Sequence, residues 1–223
     1  MGLRQRAVLA EDKEERHDAI LDAALRLLLK APEREPNMAE VADESGLAKG
    51  TVYLYFAGKE ELLLALHERN VGGFFDALID RLDRPAPFAI DEFVALVRMH
   101  MVAAPLYLPL ASRCFSTMAQ GVDPHAALAF KGRMAARLQR AGAGLERHFA
   151  ELTTGGGVLL LRHSYALVIG LWQMSLACPD AAAHAAGGGN TDPLRFSFPA
   201  DLDRALLLLW CGTLEAPHDA GNA

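Results

Sequence analysis

The residues of this chain that are best suited to chemistry lie close together, between positions 49 and 55. Lysine and tyrosine side chains donate hydrogen bonds to phosphate oxygens, and a glycine lets a helix approach the edges of DNA bases closely. The pattern therefore predicts a surface for nucleic acid. The residues alone leave a second interpretation open, in which both tyrosines are half-buried packing residues and the lysine is a solvated charge. The members of this cluster are Lys49, Gly50, Thr51, Tyr53 and Tyr55.

Two short helices must hold these residues in place. Asn37 can cap a helix over 38–45, because its side chain can accept hydrogen bonds from the free N–H groups of the first turn. Gly46 supplies the left-handed residue that a sharp turn requires, and a second helix is predicted over 49–56. This spacing is typical of a helix-turn-helix motif, here residues 37–56. The apolar residues that can pack the two helices together are Val41, Ala42, Leu47, Val52 and Phe56.

A hydrophobic period of 3.6 residues recurs along the chain, with almost none of the alternation that is typical of β-strands. It predicts an all-α fold, in which a small N-terminal three-helix bundle is joined by a long helix to a larger C-terminal helical bundle. The terminal residues 1–13 and 216–223 and the glycine-rich stretch 179–191 are expected to be flexible. Besides the two short helices, the predicted helices cover 16–30, 58–83, 88–104, 105–119, 123–152, 158–178 and 199–214.

Composition excludes several classes of protein. With 52% hydrophobic and 22% charged residues, the 223-residue chain can bury a core and is not of the disordered type. The net charge of −6 excludes a polycation, and residues 1–70 alone carry ten basic and fourteen acidic side chains. Any affinity for nucleic acid must then come from a local surface rather than from the average charge.

Signals for catalysis and metal binding are missing from the sequence. The motifs G-x-S-x-G, H-E-x-x-H and G-x-x-x-x-G-K-[ST] do not occur, so we predict no catalytic residues, no metal and no cofactor. Three widely spaced cysteines without a C-x-x-C pair indicate free thiols in a reducing compartment. The longest apolar stretch, 158–178, contains Arg162, His163 and Gln173, which favours a buried helix over a membrane span. A cytoplasmic protein is expected.

At the helix-turn-helix, the sequence resembles the TetR family of bacterial transcription regulators. The resemblance extends over about residues 14–74, and it includes an upstream helix whose apolar stripe, Ile20, Ala24 and Leu28, lies at the distance usual in the family. The signature residues are Ala42, Ser45, Gly46, Leu47, Lys49, Gly50, Thr51, Val52, Tyr53, Tyr55, Phe56, Lys59, Glu60, Glu61 and Leu62.

The resemblance implies DNA contacts for seven residues. The start of the helix over 49–56 would lie nearest to base edges in the major groove, and its two tyrosines would reach phosphates or bases. The asparagine that begins the preceding helix, where the family usually has threonine, and the lysine that begins the following helix would contact phosphates. Ala48 departs from the serine or threonine that often caps this helix, and losing such a cap costs about 1 kcal/mol. The seven residues are Asn37, Lys49, Gly50, Thr51, Tyr53, Tyr55 and Lys59.

The resemblance also implies a DNA-binding domain over 14–74 and a C-terminal domain over 75–215 that dimerises and encloses a small-molecule cavity. Two protomers would bind an inverted-repeat operator in double-stranded DNA, with recognition helices roughly 34–36 Å apart. The helices over 158–178 and 205–214 are candidates for the dimer contact, because both are apolar nearly all round. The alternative is that each helix is internal to the monomer. The candidate cavity residues, any of which could be plain core, are Phe93, Arg98, Met101, Tyr107, Phe115, Met118 and Trp172.

The function favoured at this point is a dimeric repressor that an unknown small-molecule effector releases from its operator. A basic group such as Arg98 in the cavity would suit an anionic or phenolic effector. The alternative is a DNA-binding accessory protein or an activator without ligand release. The sequence does not separate this alternative from an effector-controlled repressor, because the feature that distinguishes them is the cavity. An enzyme is disfavoured by the missing catalytic motifs.

Overall fold

The described residues of the chain fold into α-helices, with no β-strand among them. The computed structural model describes residues 3–177 and 197–215, and of residues 3–11, 115–120 and 177 only the backbone. A π-helical segment, Arg98–Val102, continues directly from α5. The predicted all-α fold class is confirmed. The helices are α1 (Leu3–Lys30), α2 (Met38–Ser45), α3 (Lys49–Tyr55), α4 (Lys59–Leu82), α5 (Ile90–Val97), α6 (Tyr107–Gln120), α7 (Pro124–His148), α8 (Gly156–Ala177) and α9 (Ala200–Glu215).

Two helices differ most from their predicted boundaries. The first begins at Leu3 rather than near residue 16, because the run before Pro32 consists largely of good helix formers and contains no glycine or proline. The helix predicted over 88–104 is α-helical for only eight residues and then widens into the π segment. There the N–H of Ala103 donates to the carbonyl of Arg98, five residues back, at 2.8 Å.

One compact unit comprises residues 3–70 and 105–130. Its core combines α1, α2, α3 and the first half of α4 with α6, which buries Leu106 at the start of the helix and Leu110 one turn later. This division differs from a single cut near residue 74, because α6 contributes to the same hydrophobic core as the N-terminal helices. The core residues that the N-terminal helices and their connections bury include Ile20, Leu21, Ala23, Ala24, Leu28, Val41, Ala42, Val52, Phe56, Leu62 and Leu66.

The second compact unit comprises residues 71–104, 131–177 and 197–215. Trp210 of α9 is fully buried in it, with its ring centroid 4.2 Å from that of Phe93. The indole N–H of this tryptophan donates to the Ser164 hydroxyl at 3.0 Å, and that hydroxyl donates to the carbonyl of Leu160. These bonds join α9 to α8. The other rings around this centre are Phe74, Phe88 and Phe149.

The residues that the structure describes contain neither a single helix of membrane-spanning length and apolarity nor a metal-ligating cluster. No single helix there is long and apolar enough to cross a membrane, and only Ile90–Val102 and Tyr107–Cys114, taken together across the break between them, reach that length and apolarity. No group of three metal-ligating side chains occurs in the same ranges. Cys114 is a buried free thiol and Cys211 an exposed one.

Some predictions lie outside the described residues. They are the flexible stretch 179–191, the flexible end 216–223, and Cys178. The flexibility of 1–13 stays a prediction.

Candidate nucleic-acid interface

The start of α2 is held by a reciprocal cap. The side-chain oxygen of Asn37 accepts hydrogen bonds from the backbone N–H groups of Ala39 at 2.9 Å and Glu40 at 3.1 Å. In return the Glu40 carboxylate accepts from the N–H of Asn37 at 2.9 Å. This capping box satisfies donors that would otherwise lack partners at the helix start. The Asn37 oxygen is therefore engaged within the motif, and its amide NH₂ is the group that could donate to a phosphate.

The reversal between α2 and α3 depends on Gly46. Its φ of 71° and ψ of 16° lie in the left-handed region, which residues with a side chain adopt at a cost. Leu47 then donates its N–H to the carbonyl of Ala42 at 3.1 Å, which closes the turn. The next helix begins after Ala48, which contributes no side-chain cap.

One face of α3 packs inward and the opposite face is exposed. Val52 and Phe56 are buried, whereas Lys49, Gly50 and Tyr53 are exposed. Thr51 is half-buried. The Lys49 ammonium lies 5.9 Å from the centroid of the Tyr53 ring, one helical turn further on. A lysine and a tyrosine are thus presented next to each other on the exposed face, and both types of side chain can donate to phosphate oxygens.

The two tyrosines of α3 have different surroundings. Tyr53 is 45% exposed, whereas Tyr55 is half-buried and packs against the hydrophobic core of the first unit. The Tyr55 ring centroid is 6.5 Å from that of His17 on α1. The packing interpretation therefore describes Tyr55 better than it describes Tyr53.

Lys59, at the start of α4, is already bound to a carboxylate. Its ammonium donates to Glu35 at 2.8 Å, and the other Glu35 oxygen accepts from Arg113 of α6 at 3.2 Å. The hydrogen bond to Glu35 raises the pKa of the Lys59 ammonium. A DNA phosphate at this position would have to compete with Glu35 for the lysine.

Two of the three acidic residues of α2 are paired with basic residues nearby. Glu44 accepts from Arg26 at 2.7 Å and from Lys30 at 3.1 Å, and Glu40 accepts from Arg34 at 2.9 Å. The hydrogen bonds from Arg26 and Lys30 lower the pKa of Glu44. Because these carboxylates have cationic partners, the acidic total of the N-terminal residues is not a measure of the charge near α3.

One exposed residue of α3 was missed by the reasoning from sequence. Leu54 is 84% exposed, the largest exposed fraction among the large apolar side chains that the structure describes. A signal for it was present, because Leu54 lies four positions after Gly50 and so shares its helix face.

A capped helix, a left-handed glycine turn and a second helix with exposed hydrogen-bond donors define a helix-turn-helix protein of the DNA-binding class. The chain matches the family model described as bacterial regulatory proteins, tetR family, over residues 20–66. It also matches the model described as the tetracyclin repressor-like C-terminal domain over residues 68–217. The chain belongs to the TetR family of transcriptional regulators, a family of DNA-binding proteins.

Individual relatives agree with this assignment over part of their length. The chain is 29% identical over 87 residues to a fatty acid metabolism regulator protein of Bacillus subtilis, covering 39% of this chain and 44% of that protein. It is 31% identical over 80 residues to an uncharacterized HTH-type transcriptional regulator of Haemophilus influenzae, covering 36% and 43%. The chain thus aligns with less than half the length of these relatives.

A solved structure shares the fold over most of the chain. It is a TetR-family transcriptional regulator from Mesorhizobium loti, with a TM-score of 0.52 and 22% identity. The comparison covers 90% of this chain and 96% of that one.

Four of the predicted cavity residues lie in the second unit. Phe93 is buried against Trp210, Met101 is buried in the π segment, and Trp172 on α8 is half-buried. Arg98 is exposed and forks onto Asp203 of α9, with distances of 2.8 Å from Nε to Oδ1 and 2.5 Å from Nη2 to Oδ2. Its charge is therefore satisfied within the chain.

The remaining predicted cavity residues belong to α6. Tyr107 is fully buried in the first unit, where its ring meets that of His67 edge-on at 5.7 Å between centroids. The side chains of Phe115 and Met118 lie outside the described residues. A small depression in this unit contains none of the seven predicted residues in its lining. It is lined by Leu63, Leu64, Leu110, Arg113 and Cys114.

The two candidate dimer helices pack on each other and leave apolar residues at the surface. α8 is not a wholly buried helix, because it carries more apolar surface than its own unit covers. On α9 the exposed residues Leu208, Cys211 and Gly212 recur at helical spacing. The large apolar residues that remain exposed on the two helices are Leu159, Met174, Leu176 and Leu208.

Proposed function

We propose that this TetR-family regulator is a homodimeric repressor that binds an inverted-repeat operator and leaves it when a small-molecule effector binds. The observation that carries the proposal is the exposed face of α3, where Lys49 and Tyr53 stand together opposite buried Val52. Residues 14–74 form the DNA-binding segment in this proposal, and residues 75–215 form the effector and dimerisation segment. A regulator acting on DNA works in the cytoplasm.

The exposed apolar residues of α8 and α9 support the homodimer. Full burial of a leucine or methionine that is otherwise exposed to water lowers the free energy by roughly 1.5–3 kcal/mol. A two-fold axis beside the exposed apolar residues of α8 and α9 would bring these residues of one protomer against the same residues of the other. Each protomer would then cover the residues that the other exposes. Two identical DNA-binding segments then suit an inverted repeat.

Effector release is proposed as a shift between two populations. The effector can weaken DNA binding only by its preference for the conformation that does not fit the operator, typically about 1–3 kcal/mol. Helix α4 is continuous from Lys59 to Leu82, so it joins residues of the DNA-binding segment to residues of the C-terminal segment. Support for effector binding comes from the match to a repressor-like C-terminal domain over 68–217.

The match to the Bacillus relative does not indicate the chemical class of the effector. That match covers 39% of this chain, which is less than the 68–217 segment of the C-terminal domain model. Nor does Arg98 favour an anionic effector, because Asp203 already neutralises it with two hydrogen bonds. The seven cavity residues named from the sequence stay a proposal.

Selection of bound duplexes from a random DNA pool, at two salt concentrations, tests the function directly. An enriched inverted repeat that survives the higher salt is the expected result, because base contacts persist when phosphate contacts are screened. Salt-sensitive binding without a consensus would indicate an accessory DNA binder instead, and if no duplex is enriched the proposed function fails. Release of the selected duplex by a small molecule, followed in a compound screen, tests the repressor mechanism.

Two substitutions on α3 test the assignment of the DNA surface. Lys49→Ala and Tyr53→Ala should each weaken binding to the selected operator by about 10-fold or more, because each removes a donor from the exposed face. Both variants should stay dimeric in sedimentation, since neither residue is buried. Dissociation of the dimer by either substitution would show that the domains are assigned wrongly.

A further inference from the structure

Leu54 has an apolar side chain that its own chain does not bury. It is 84% exposed and lies on the seven-residue helix α3. Single exposed leucines occur in many proteins and need no explanation by themselves. This one is notable because its helix also presents the polar groups of the proposed DNA surface.

The neighbours of Leu54 leave it accessible to a flat partner. Gly50 lies one turn before it on the same face, and a Cβ built on Gly50 would meet no atom within 4 Å. The space on that side of the leucine is therefore open. Tyr53 stands beside it, with Lys49 one turn before the tyrosine and its ammonium near the ring. The exposed face thus consists of one cation, one phenol, one glycine and one isobutyl group.

This combination fits the major groove of DNA better than it fits a phosphate backbone alone. Lysine and tyrosine can bind phosphates, but an isobutyl group has nothing to donate or accept. In the major groove the apolar group that a base pair offers is the C5 methyl of thymine, and apolar side chains recognise it by contact. The open space at Gly50 lets the helix approach closely enough for such a contact.

We propose that Leu54 contacts the C5 methyl group of one thymine in each half of the operator and selects thymine at that position. The inference rests on the proposed function, because it assumes that α3 enters the major groove. It adds a specificity-determining residue that carries no hydrogen bond to a base.

The test is a double-mutant cycle between the protein and the DNA. In the selected operator each thymine is replaced by deoxyuridine, which removes only the methyl group. For wild type, deoxyuridine should weaken binding at one thymine position in each half-site. The loss should be about 4-fold when one half-site carries the replacement and about 15-fold when both do, because one buried methyl group contributes roughly 0.8 kcal/mol. For Leu54→Ala, the affinity for the thymine operator should fall by a similar factor, and the same deoxyuridine should cost nothing further.

Two control variants sharpen the cycle. Leu128→Ala changes another leucine that is 68% exposed, outside the recognition helix, and should keep both the affinity and the sensitivity to deoxyuridine. Tyr53→Ala should bind more weakly but keep the deoxyuridine penalty at the Leu54 position. If Tyr53→Ala abolishes that penalty while Leu54→Ala preserves it, the tyrosine ring reads the methyl group and the proposal is overturned.

Failure of this inference is distinguishable from failure of the proposed function. If wild type binds an inverted repeat but no thymine methyl affects the affinity, the function stands and the role of Leu54 is refuted. The same holds if Leu54→Ala weakens every duplex equally and retains the deoxyuridine penalty, which would indicate contact with sugar carbons. If wild type selects no duplex at all, the proposed function itself fails.

Discussion

Glu35 pairs with two cations, and in the proposed DNA complex it would reduce the positive charge that the start of α4 presents to DNA. Its carboxylate binds the Lys59 ammonium at 2.8 Å and the Arg113 guanidinium at 3.2 Å. Exposed ion pairs of this kind contribute little to stability, typically up to about 1 kcal/mol. The Glu35 carboxylate can have a larger effect on the binding of a DNA phosphate, because it repels the phosphate and already holds the Lys59 ammonium that would donate to it.

Glu35→Gln should therefore tighten operator binding by about 3- to 10-fold at low salt. It should also steepen the dependence of log K on log salt by about one, because Lys59 becomes available to one more phosphate. Titrations by fluorescence anisotropy at several salt concentrations measure both quantities. The control is Glu33→Gln, which removes an exposed acid two positions earlier and should leave the slope unchanged. Weaker binding by Glu35→Gln would mean that Glu35 positions the motif and does not compete with DNA.

His67 couples the stability of the first unit to pH. It is 3% exposed, lies against Tyr107, and burial lowers the pKa of its imidazole to about 4 from 6.5. Above pH 6.5 the imidazole is neutral in the folded and unfolded chain, so it costs nothing. Between pH 6.5 and 4 the unfolded chain binds a proton that the folded chain does not, so the free energy of unfolding falls by about 1.4 kcal/mol per pH unit.

His67→Leu should flatten this dependence. Between pH 7.5 and 5.5 the variant should lose about 1.4 kcal/mol less unfolding free energy than wild type, as measured by urea titration at each pH. The matched variant His125→Leu changes an exposed histidine of α7 and should follow the wild-type curve. Parallel curves for wild type and His67→Leu would show that His67 is not buried as a neutral group.

At the scale of elements, α7 and α8 approach each other through two glycines. A Cβ on Gly142 would lie 2.6 Å from Cγ2 and 2.8 Å from the backbone nitrogen of Val158. A Cβ on Gly157 would collide with the carbonyl oxygen of Gly142. Because the obstacles include backbone atoms, a side-chain rotation cannot relieve the contact, and the helices would have to move apart.

Gly142→Ala should lower the free energy of unfolding by about 1–3 kcal/mol, the usual cost of overpacking. Gly132→Ala, on the same helix α7, meets no atom within 4 Å and should raise it by about 0.5–1 kcal/mol, because alanine restricts the unfolded chain more than glycine does. Urea midpoints of the two variants, measured side by side, decide the matter. Equal effects would contradict a close crossing of the helices.

In the whole molecule, two-fold symmetry would supply the two recognition helices that an inverted-repeat operator requires. A single seven-residue helix contacts only a few base pairs, and a second copy supplies the other half-site. In the proposed homodimer, the exposed apolar residues of α8 and α9 form the contact on which DNA affinity would depend. A change in this patch should therefore act on DNA binding although it lies outside the helix-turn-helix.

Leu208→Glu should dissociate the dimer and reduce operator affinity by 100-fold or more at low protein concentration. Leu208 is 66% exposed on α9, so the monomer should fold normally, but a buried charge at the dimer contact is costly. Sedimentation velocity and a DNA titration on the same sample test both effects. The control Leu128→Glu introduces the same charge at a leucine of similar exposure on α7. A dimer that survives Leu208→Glu would place the contact elsewhere.

The all-α class, the helix-turn-helix and the family could all be predicted from the amino-acid sequence. These depend on signals that lie within about twenty residues of each other: the cap at Asn37, the glycine turn at Gly46 and the apolar pattern of the two short helices. Local signals of this kind survive without knowledge of the rest of the fold. They left open whether Tyr53 and Tyr55 are exposed, and they overlooked Leu54.

Contacts between residues that are distant in the sequence became known only from the tertiary structure. Lys59 and Arg113 share Glu35, a residue far from both in sequence, and Arg98 pairs with Asp203, 105 positions away. An arginine among apolar neighbours gives the same one-dimensional pattern whether it lines a cavity or forms an ion pair with a distant helix. The partner is chosen by how helices pack, and packing depends on side-chain shapes from several elements at once, which a periodic pattern does not contain.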